Sequence, residues 1–182
     1  MAVNNEYVVT ADPGLNIGLA MWPWKVWQRG KFLLPEAVTE CKPRGKTWRQ
    51  KCDYTIADMQ QVLGSCIVVK AYIEFPSFMQ SGGGIASART GNLVKLVYMC
   101  GRVHQQLRNF GADVRTVKVQ RWKGQLTKEA TYERIIRVAA RELESSRRKS
   151  RERLHALPGM RTAHSHAWDA VGIGFWAQGY FP

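Results

Sequence analysis

The amino-acid sequence predicts an α/β fold, a mixed β-sheet flanked by α-helices. Short apolar, β-branched runs recur between turn residues, and elsewhere apolar residues repeat every three or four positions. The two kinds of segment follow in the order strand, strand, strand, helix, strand, helix, strand, helix, helix, which is that of helices packed against a mixed sheet. At 182 residues the chain is long enough for one domain with a core of two or three layers.

The run Tyr7 to Ala11, Y-V-V-T-A, predicts the first strand, which Asp12-Pro13-Gly14 stops. Ile17 to Trp22 predicts a second strand folded back on it, and Gly30 to Leu34 a third. Pro35 to Gly45, with two prolines and alternating charge, reads as a loop. Trp48, Cys52, Ile56, Met59 and Leu63 share one face of a helix ending at Gly64. Cys66 to Glu74 predicts a central strand with a carboxylate at its carboxyl end. Pro76 stops it, and Ser81-Gly82-Gly83-Gly84 predicts a mobile loop.

A long helix is expected from Ser87 to Phe110, closed by Gly111, then a strand over Val114 to Val119. After a polar connection from Arg121, a helix starts at Thr127, with Ala130, Ile135, Val138, Ala139 and Leu143 inside. Arg141 to Arg153 holds six basic and three acidic residues around Leu143 alone. That stretch reads either as the solvated end of a helix or as a DNA-facing surface. Pro158-Gly159 breaks the chain before a last short helix from Ser165 to Gln178. Residues 1–182 are thus expected to form a single domain with a basic connecting segment at about 141–160.

Lys and Arg number 27 against 14 Asp and Glu, a formal charge of +13. Such an excess concentrates polyanions and points to nucleic acid or an anionic surface. A hydrophobic fraction of 45% excludes a disordered basic arm. Cys41, Cys52, Cys66 and Cys100 contain no C-x-x-C pair, so a structural zinc site is disfavoured. Cys66 and Cys100 lie in apolar runs and read as reduced core residues. With no targeting segment and no apolar run long enough to span a bilayer, the expectation is a soluble, cytoplasmic protein with no membrane partner.

The acidic residues fall at informative places. Asp12 and Glu74 end strands, and Asp169 lies near the start of the last helix. Strand ends of an open sheet converge on one crevice, where three carboxylates repel unless a cation neutralises them. Magnesium suits such oxygen donors, and two ions can activate water and stabilise a leaving 3′ oxygen. Each acid also has a plainer reading: Asp12 as a turn residue, Glu74 as a salt-bridge partner, Asp169 as a helix-start charge.

Three motifs carry a family resemblance. Val9-Thr10-Ala11-Asp12-Pro13-Gly14-Leu15, followed by Gly18-Leu19-Ala20, resembles the opening motif of the RuvC family of Holliday junction resolvases. Tyr72-Ile73-Glu74-Phe75-Pro76-Ser77-Phe78 is similar to the family's second motif. His166-Ala167-Trp168-Asp169-Ala170-Val171-Gly172-Ile173-Gly174 resembles its closing helix. The resemblance spans about Tyr7 to Gln178. It implies a ribonuclease-H-like fold, a homodimer, a bacterial or phage-infected cell, and cleavage of four-way DNA junctions with Mg²⁺ or Mn²⁺, two ions per site. Asp12, Glu74, His166 and Asp169 become the expected catalytic and metal-binding set.

The family pattern has an Asp where this chain has His166. An imidazole brings no negative charge, so the substitution shifts the expected preference toward Mn²⁺. His164 reads as a cap, a surface residue or a substrate contact. Gln120-Arg121-Trp122-Lys123-Gly124 and Lys128-Glu129 resemble the family's strand-to-helix segment, which makes Lys123 and Lys128 expected DNA contacts. Arg147, Arg148, Lys149 and Arg151 extend that set. The eight basic residues between Lys25 and Lys51 could form a further wall of phosphate contacts, with Trp48 on its helix's buried face. Phe75 and Phe78 are candidates to stack at the junction centre, Phe78 the better one, since Phe75 reads equally as a core cap. Rival readings are a nuclease for RNA–DNA hybrids or for phage DNA packaging, and a basic junction-binding protein without catalysis.

Overall fold

A computed structural model describes residues 5–64, 66–76, 91–157, 160 and 166–181. Five strands, β1 (Glu6–Asp12), β2 (Ile17–Pro23), β3 (Ala37–Cys41), β4 (Ile67–Phe75) and β5 (Asp113–Lys118), form one sheet in the order β3-β2-β1-β4-β5. β1 pairs antiparallel with β2, and β2 with β3, while β4 and β5 run parallel to β1. The helices are α1 (Trp24–Trp27), α2 (Trp48–Leu63), α3 (Asn92–Asn109), α4 (Val119–Trp122), α5 (Lys128–Glu142), α6 (Arg147–His155) and α7 (His166–Ala177). This is a mixed sheet flanked by helices, an α/β fold of the ribonuclease-H-like type, as the sequence predicts.

Alternate residues of the strands feed two cores. Val9, Ala11, Leu19 and Ile73 pack with Cys52, Met59, Met99, Val103 and Leu107 of α2 and α3. On the other face Val8, Ala20, Trp22 and Val117 pack with Ile135 and Ala139 of α5 and with Ala167, Val171 and Phe175 of α7. The second helix is where the apolar spacing puts it. Thr47 and Gln50 close a capping box at its start, and Gly64 at φ 43° ends it. Trp48 packs against the α2/α3 core, on the buried side as expected. All four cysteines are free, with Cys100 buried and Cys66 half-buried.

The third strand is not at Gly30 to Leu34 but at Ala37–Cys41, inside the segment expected to be a loop. Phe32, Leu33 and Leu34 instead pack against the α5/α7 core from irregular backbone. The Glu36 amide donates to the Met21 carbonyl at 2.8 Å, which starts the pairing along β2. Val38 and Cys41 then bury their side chains. The two prolines flank this short strand and cost it no ladder bond.

The connection after β5 contains the short helix α4, and the basic stretch is two helices rather than one frayed end. Glu144, at φ 47°, closes α5, with its amide on the Arg141 carbonyl and the Ser145 amide on the Ala140 carbonyl. Ser146 then caps α6 by accepting from the Lys149 amide. The expected glycine-rich loop, His164 and the first residues of the expected Ser87 helix lie outside the described residues. No helix among the described residues is long and apolar enough to cross a membrane.

Candidate active site

Parallel pairing decides where the first two carboxylates meet. Ala11 of β1 stands beside Ile73 of β4, so the next residues, Asp12 and Glu74, emerge together at the carboxyl end of the sheet. Thr10 and Asp12 point toward α7, because Val9 and Ala11 face the opposite core. The turn after Asp12 is tied down on its far side, where the Thr55 hydroxyl of α2 donates to the Leu15 carbonyl at 3.1 Å.

The start of α7 reaches the same place because two positions lack side chains. Gly18 pairs with Asp12 across the β1–β2 ladder, and a Cβ there would lie 2.0 Å from the His166 carbonyl oxygen. Only glycine lets the backbone of α7 come that close to β2. Gly14 lies under the His166 ring, 3.7 Å from Cε1 to the position of a Cβ. Farther along α7, Gly174 and Gly172 leave room for the indoles of Trp22 and Trp122. Thr10 pins the helix, donating to the Ala170 carbonyl at 2.7 Å and accepting from Trp22 Nε1 at 3.1 Å.

Three carboxylates and one imidazole result, each engaged by a protein group. Asp12, only 6% exposed, meets His166 Nδ1 through Oδ2 at 2.5 Å. Burial pushes the Asp12 carboxyl up from its ordinary value, against the opposing hydrogen bond and charge of His166. His166 is itself raised, first by that hydrogen bond and against the effect of burial. Glu74 Oε2 accepts from Trp122 Nε1 at 2.9 Å. Burial, and then the charges of Asp12 and Asp169, push Glu74 up to about 8. Asp169 Oδ1 is paired with Lys123 Nζ at 3.0 Å.

Among the described residues no three His, Cys, Asp or Glu side chains stand in a ready-made metal cage. The donors nevertheless suit a hard divalent cation. Two buried carboxylates are held above their ordinary range by burial and then by neighbouring carboxylates, Asp169 for Asp12 and both Asp12 and Asp169 for Glu74, the condition that a bound cation relieves. Asp12, Glu74 and Asp169 supply oxygen and His166 nitrogen, a set open to Mg²⁺ and to Mn²⁺. The Lys123 ammonium provides positive charge at Asp169.

The residues expected to contact DNA are dispersed around this cluster. Lys123 is largely buried in its ion pair, whereas Lys128 is exposed at the start of α5, near enough for its charge to oppose protonation of His166. Arg147, Arg148, Lys149 and Arg151 are exposed on α6. Arg148 lies 3.8 Å from Glu152, and Arg151 pairs with Glu133 at 2.8 Å. Phe75 is 39% exposed at the end of β4 and belongs to neither core among the described residues. Phe78 lies outside the described residues. Thr10, Gly18 and the indole of Trp122 are site residues that sequence reasoning missed. A threonine two residues before Asp12-Pro13-Gly14 and a Trp-Lys pair just after a strand were the available signals.

No family model matches the chain, and no curated protein matches it. Solved structures do. The chain is similar to Thermus thermophilus RuvC in complex with Holliday junction substrate, at 15% identity, over 95% of each chain, with a TM-score of 0.56. It is also similar to a second Thermus thermophilus RuvC structure, at 15% identity over 96% of this chain and 98% of the other, with a TM-score of 0.52. These likenesses show that the chain has the fold of RuvC.

Proposed function

We propose that this chain is a RuvC-like, metal-dependent endonuclease that resolves four-way DNA junctions by paired nicks, acting as a homodimer with residues 1–182 as one nuclease domain. The observation that carries the reading is the meeting of Asp12, Glu74, Asp169 and His166 at one end of the sheet. The fold likeness to RuvC over nearly the whole chain supports it.

Asp12, Glu74, Asp169 and His166 are the residues that would hold two Mg²⁺ or Mn²⁺ ions. Such ions, when bound, activate a water and stabilise the leaving 3′ oxygen of a phosphodiester. His166 fixes the rotamer of Asp12 through Nδ1, and Trp122 fixes that of Glu74. Lys123 balances the charge of Asp169. Because His166 replaces a carboxylate, Mn²⁺ is the better-matched ion.

Two-fold symmetry in the protein would match the two like strands of a junction. The stripe Val94, Val97, Tyr98 and Gly101 supports α3 as the interface. Val94 is 70% and Tyr98 49% exposed, and a Cβ at Gly101 would meet nothing. The opposite side of α3, with Met99, Val103 and Leu107, packs on the sheet.

The deciding experiment compares cleavage of a radiolabelled four-way junction, a flap, linear duplex and an RNA–DNA hybrid at matched salt, with Mg²⁺ and with Mn²⁺. Paired nicks in the junction that vanish with Asp12→Asn are expected. Preference for hybrid or linear duplex would replace the resolvase reading with another ribonuclease-H-like nuclease. Tight junction binding with no scission in either metal would leave a binding protein.

A further inference from the structure

A second concentration of positive charge lies away from the carboxylates. Arg134, Arg137 and Arg141 line an open groove of about 500 Å³ together with Leu126 and Tyr180. Their spacing puts them in a row on one face of α5, spread along about 10 Å of helix. Arg137 is exposed and has no ion-pair partner among the described residues. The Arg134 guanidinium lies over the Phe181 ring, 4.3 Å from its centroid, and likewise has no carboxylate among them. Among the described residues Arg141 is paired only with its neighbour, Glu142. Stacking on Phe181 orders one guanidinium while leaving its charge uncompensated.

The groove is separate from the carboxylate cluster but tied to it through the backbone. Tyr180 follows the carboxyl end of α7, whereas His166 and Asp169 stand at its amino end. A helix of 12 residues sets these ends about 18 Å apart. At its other side the groove begins with Leu126, whose amide donates to the carbonyl of Lys123, the residue paired with Asp169.

We propose that the Arg134–Arg137–Arg141 groove is a second phosphodiester-binding site that holds the backbone of a duplex arm leaving the active site. A linear row of guanidinium groups suits a linear polyanion, and duplex DNA presents one charge per about 1.7 Å of its axis. The contacts are to phosphate, so the site positions the arm without reading its sequence. In identifying the ligand as an arm of the substrate, the inference rests on the nuclease reading above.

The test is binding, without divalent cation, of a fluorescein-labelled long-armed junction followed by anisotropy between about 50 and 200 mM salt. The Arg137→Gln/Arg141→Gln protein is expected to bind about tenfold more weakly, with the slope of log K against log salt reduced by about two. Arg137→Gln alone, at an exposed position that folding does not need, should lower it by about one. Unchanged affinity and slope in both variants overturn the proposal. So does loss of a fluorescent nucleoside triphosphate with junction binding intact, which would make the groove a small-anion pocket. Because no cleavage is measured, a wild-type protein that cuts no junction refutes the nuclease reading and leaves this result to stand or fall by the slopes.

Discussion

β1 and β4 serve two faces with neighbouring residues. Val9, Ala11 and Ile73 are fully buried against α2 and α3, in a core of aliphatic, Met and Cys side chains. Thr10, Asp12 and Glu74, one position along, face α4 and α7 and are polar. The helices differ accordingly. α2 and α3 meet the sheet with Cys52, Met59, Met99 and Leu107, whereas α7 meets it with glycines that admit indoles and close backbone contact. The same strands thus supply an apolar core on one side and the proposed site on the other, because the period of two separates the residues. The expensive groups, buried carboxylates, are confined to the end of the strands where a cation can reach them.

The sharpest way to break that comparison is to substitute each face in turn. Asp12→Asn and Glu74→Gln should each lower junction cleavage by at least ~100-fold, with the melting temperature of the metal-free protein unchanged or raised. Neither substitution opens a cavity, and both remove a carboxyl that burial holds above its ordinary range. Leu107→Ala on the other face should cost about 2–5 kcal/mol of stability while cleavage per folded molecule is retained. Comparable cutting by Asp12→Asn and the parent protein would end the functional division of the faces.

Gly18 joins the two properties, so its substitution should spoil both. A methyl group there would overlap the His166 carbonyl, a backbone atom that has no rotamer to change. Gly18→Ala should destabilise by about 1–3 kcal/mol and move His166 off Asp12, with roughly a tenfold or larger loss of cleavage. Denaturant melts and single-turnover assays at saturating metal would show it. Wild-type behaviour in both would mean that α7 is not held by this contact.

What the sequence makes legible follows from what is local. Apolar spacing in α2 and the Thr47–Gln50 cap are written within a few residues, and they appear in the fold at the expected positions. Asp12, Glu74 and Asp169 were readable as strand-end and helix-start acids, and as motifs of a resembling family. Pairing was less so. β3 is an edge strand whose ladder on β2 depends on residues distant in the chain, and its prolines read locally as loop signals. The partners of the acids were hidden for the same reason. Trp122 reaches Glu74 across 48 positions and Lys123 reaches Asp169 across 46, so only the parallel pairing of β4 with β5 and the packing of α7 bring them together.

A smaller effect should separate the indole from the acid it holds. Trp122→Phe keeps most of the ring volume in the notch at Gly172 but removes the donor to Glu74. Stability should fall by about 1 kcal/mol and cleavage by about tenfold. Losing a hydrogen bond to the ionised form should also push the Glu74 carboxyl still higher. An activity profile that shifts toward alkaline pH in Trp122→Phe is the sign of that role. Lower activity with no such shift would reduce Trp122 to packing.

The mildest expected effect lies in the stability of the metal-free protein, and its sign follows from the direction of the Glu74 shift. The folded-state carboxyl is pushed up to about 8 from an ordinary value of 4.5, by burial and then by Asp12 and Asp169. Between those values the folded chain holds a proton that the unfolded chain has released. Its contribution to stability is therefore complete below about 4.5 and is lost as pH rises through about 8. His166 and Asp12 are raised as well and slope the same way, so Glu74→Gln should flatten the dependence only in part. In thermal melts with chelator present, the parent protein should lose a few degrees relative to Glu74→Gln as pH passes from mildly acidic to mildly alkaline. Mn²⁺ or Mg²⁺ should reverse the trend in the parent alone, since a cation selects the ionised carboxylates. Parallel curves for the two proteins, with and without metal, would show that Glu74 is not under the strain of burial that the polar face of the sheet imposes.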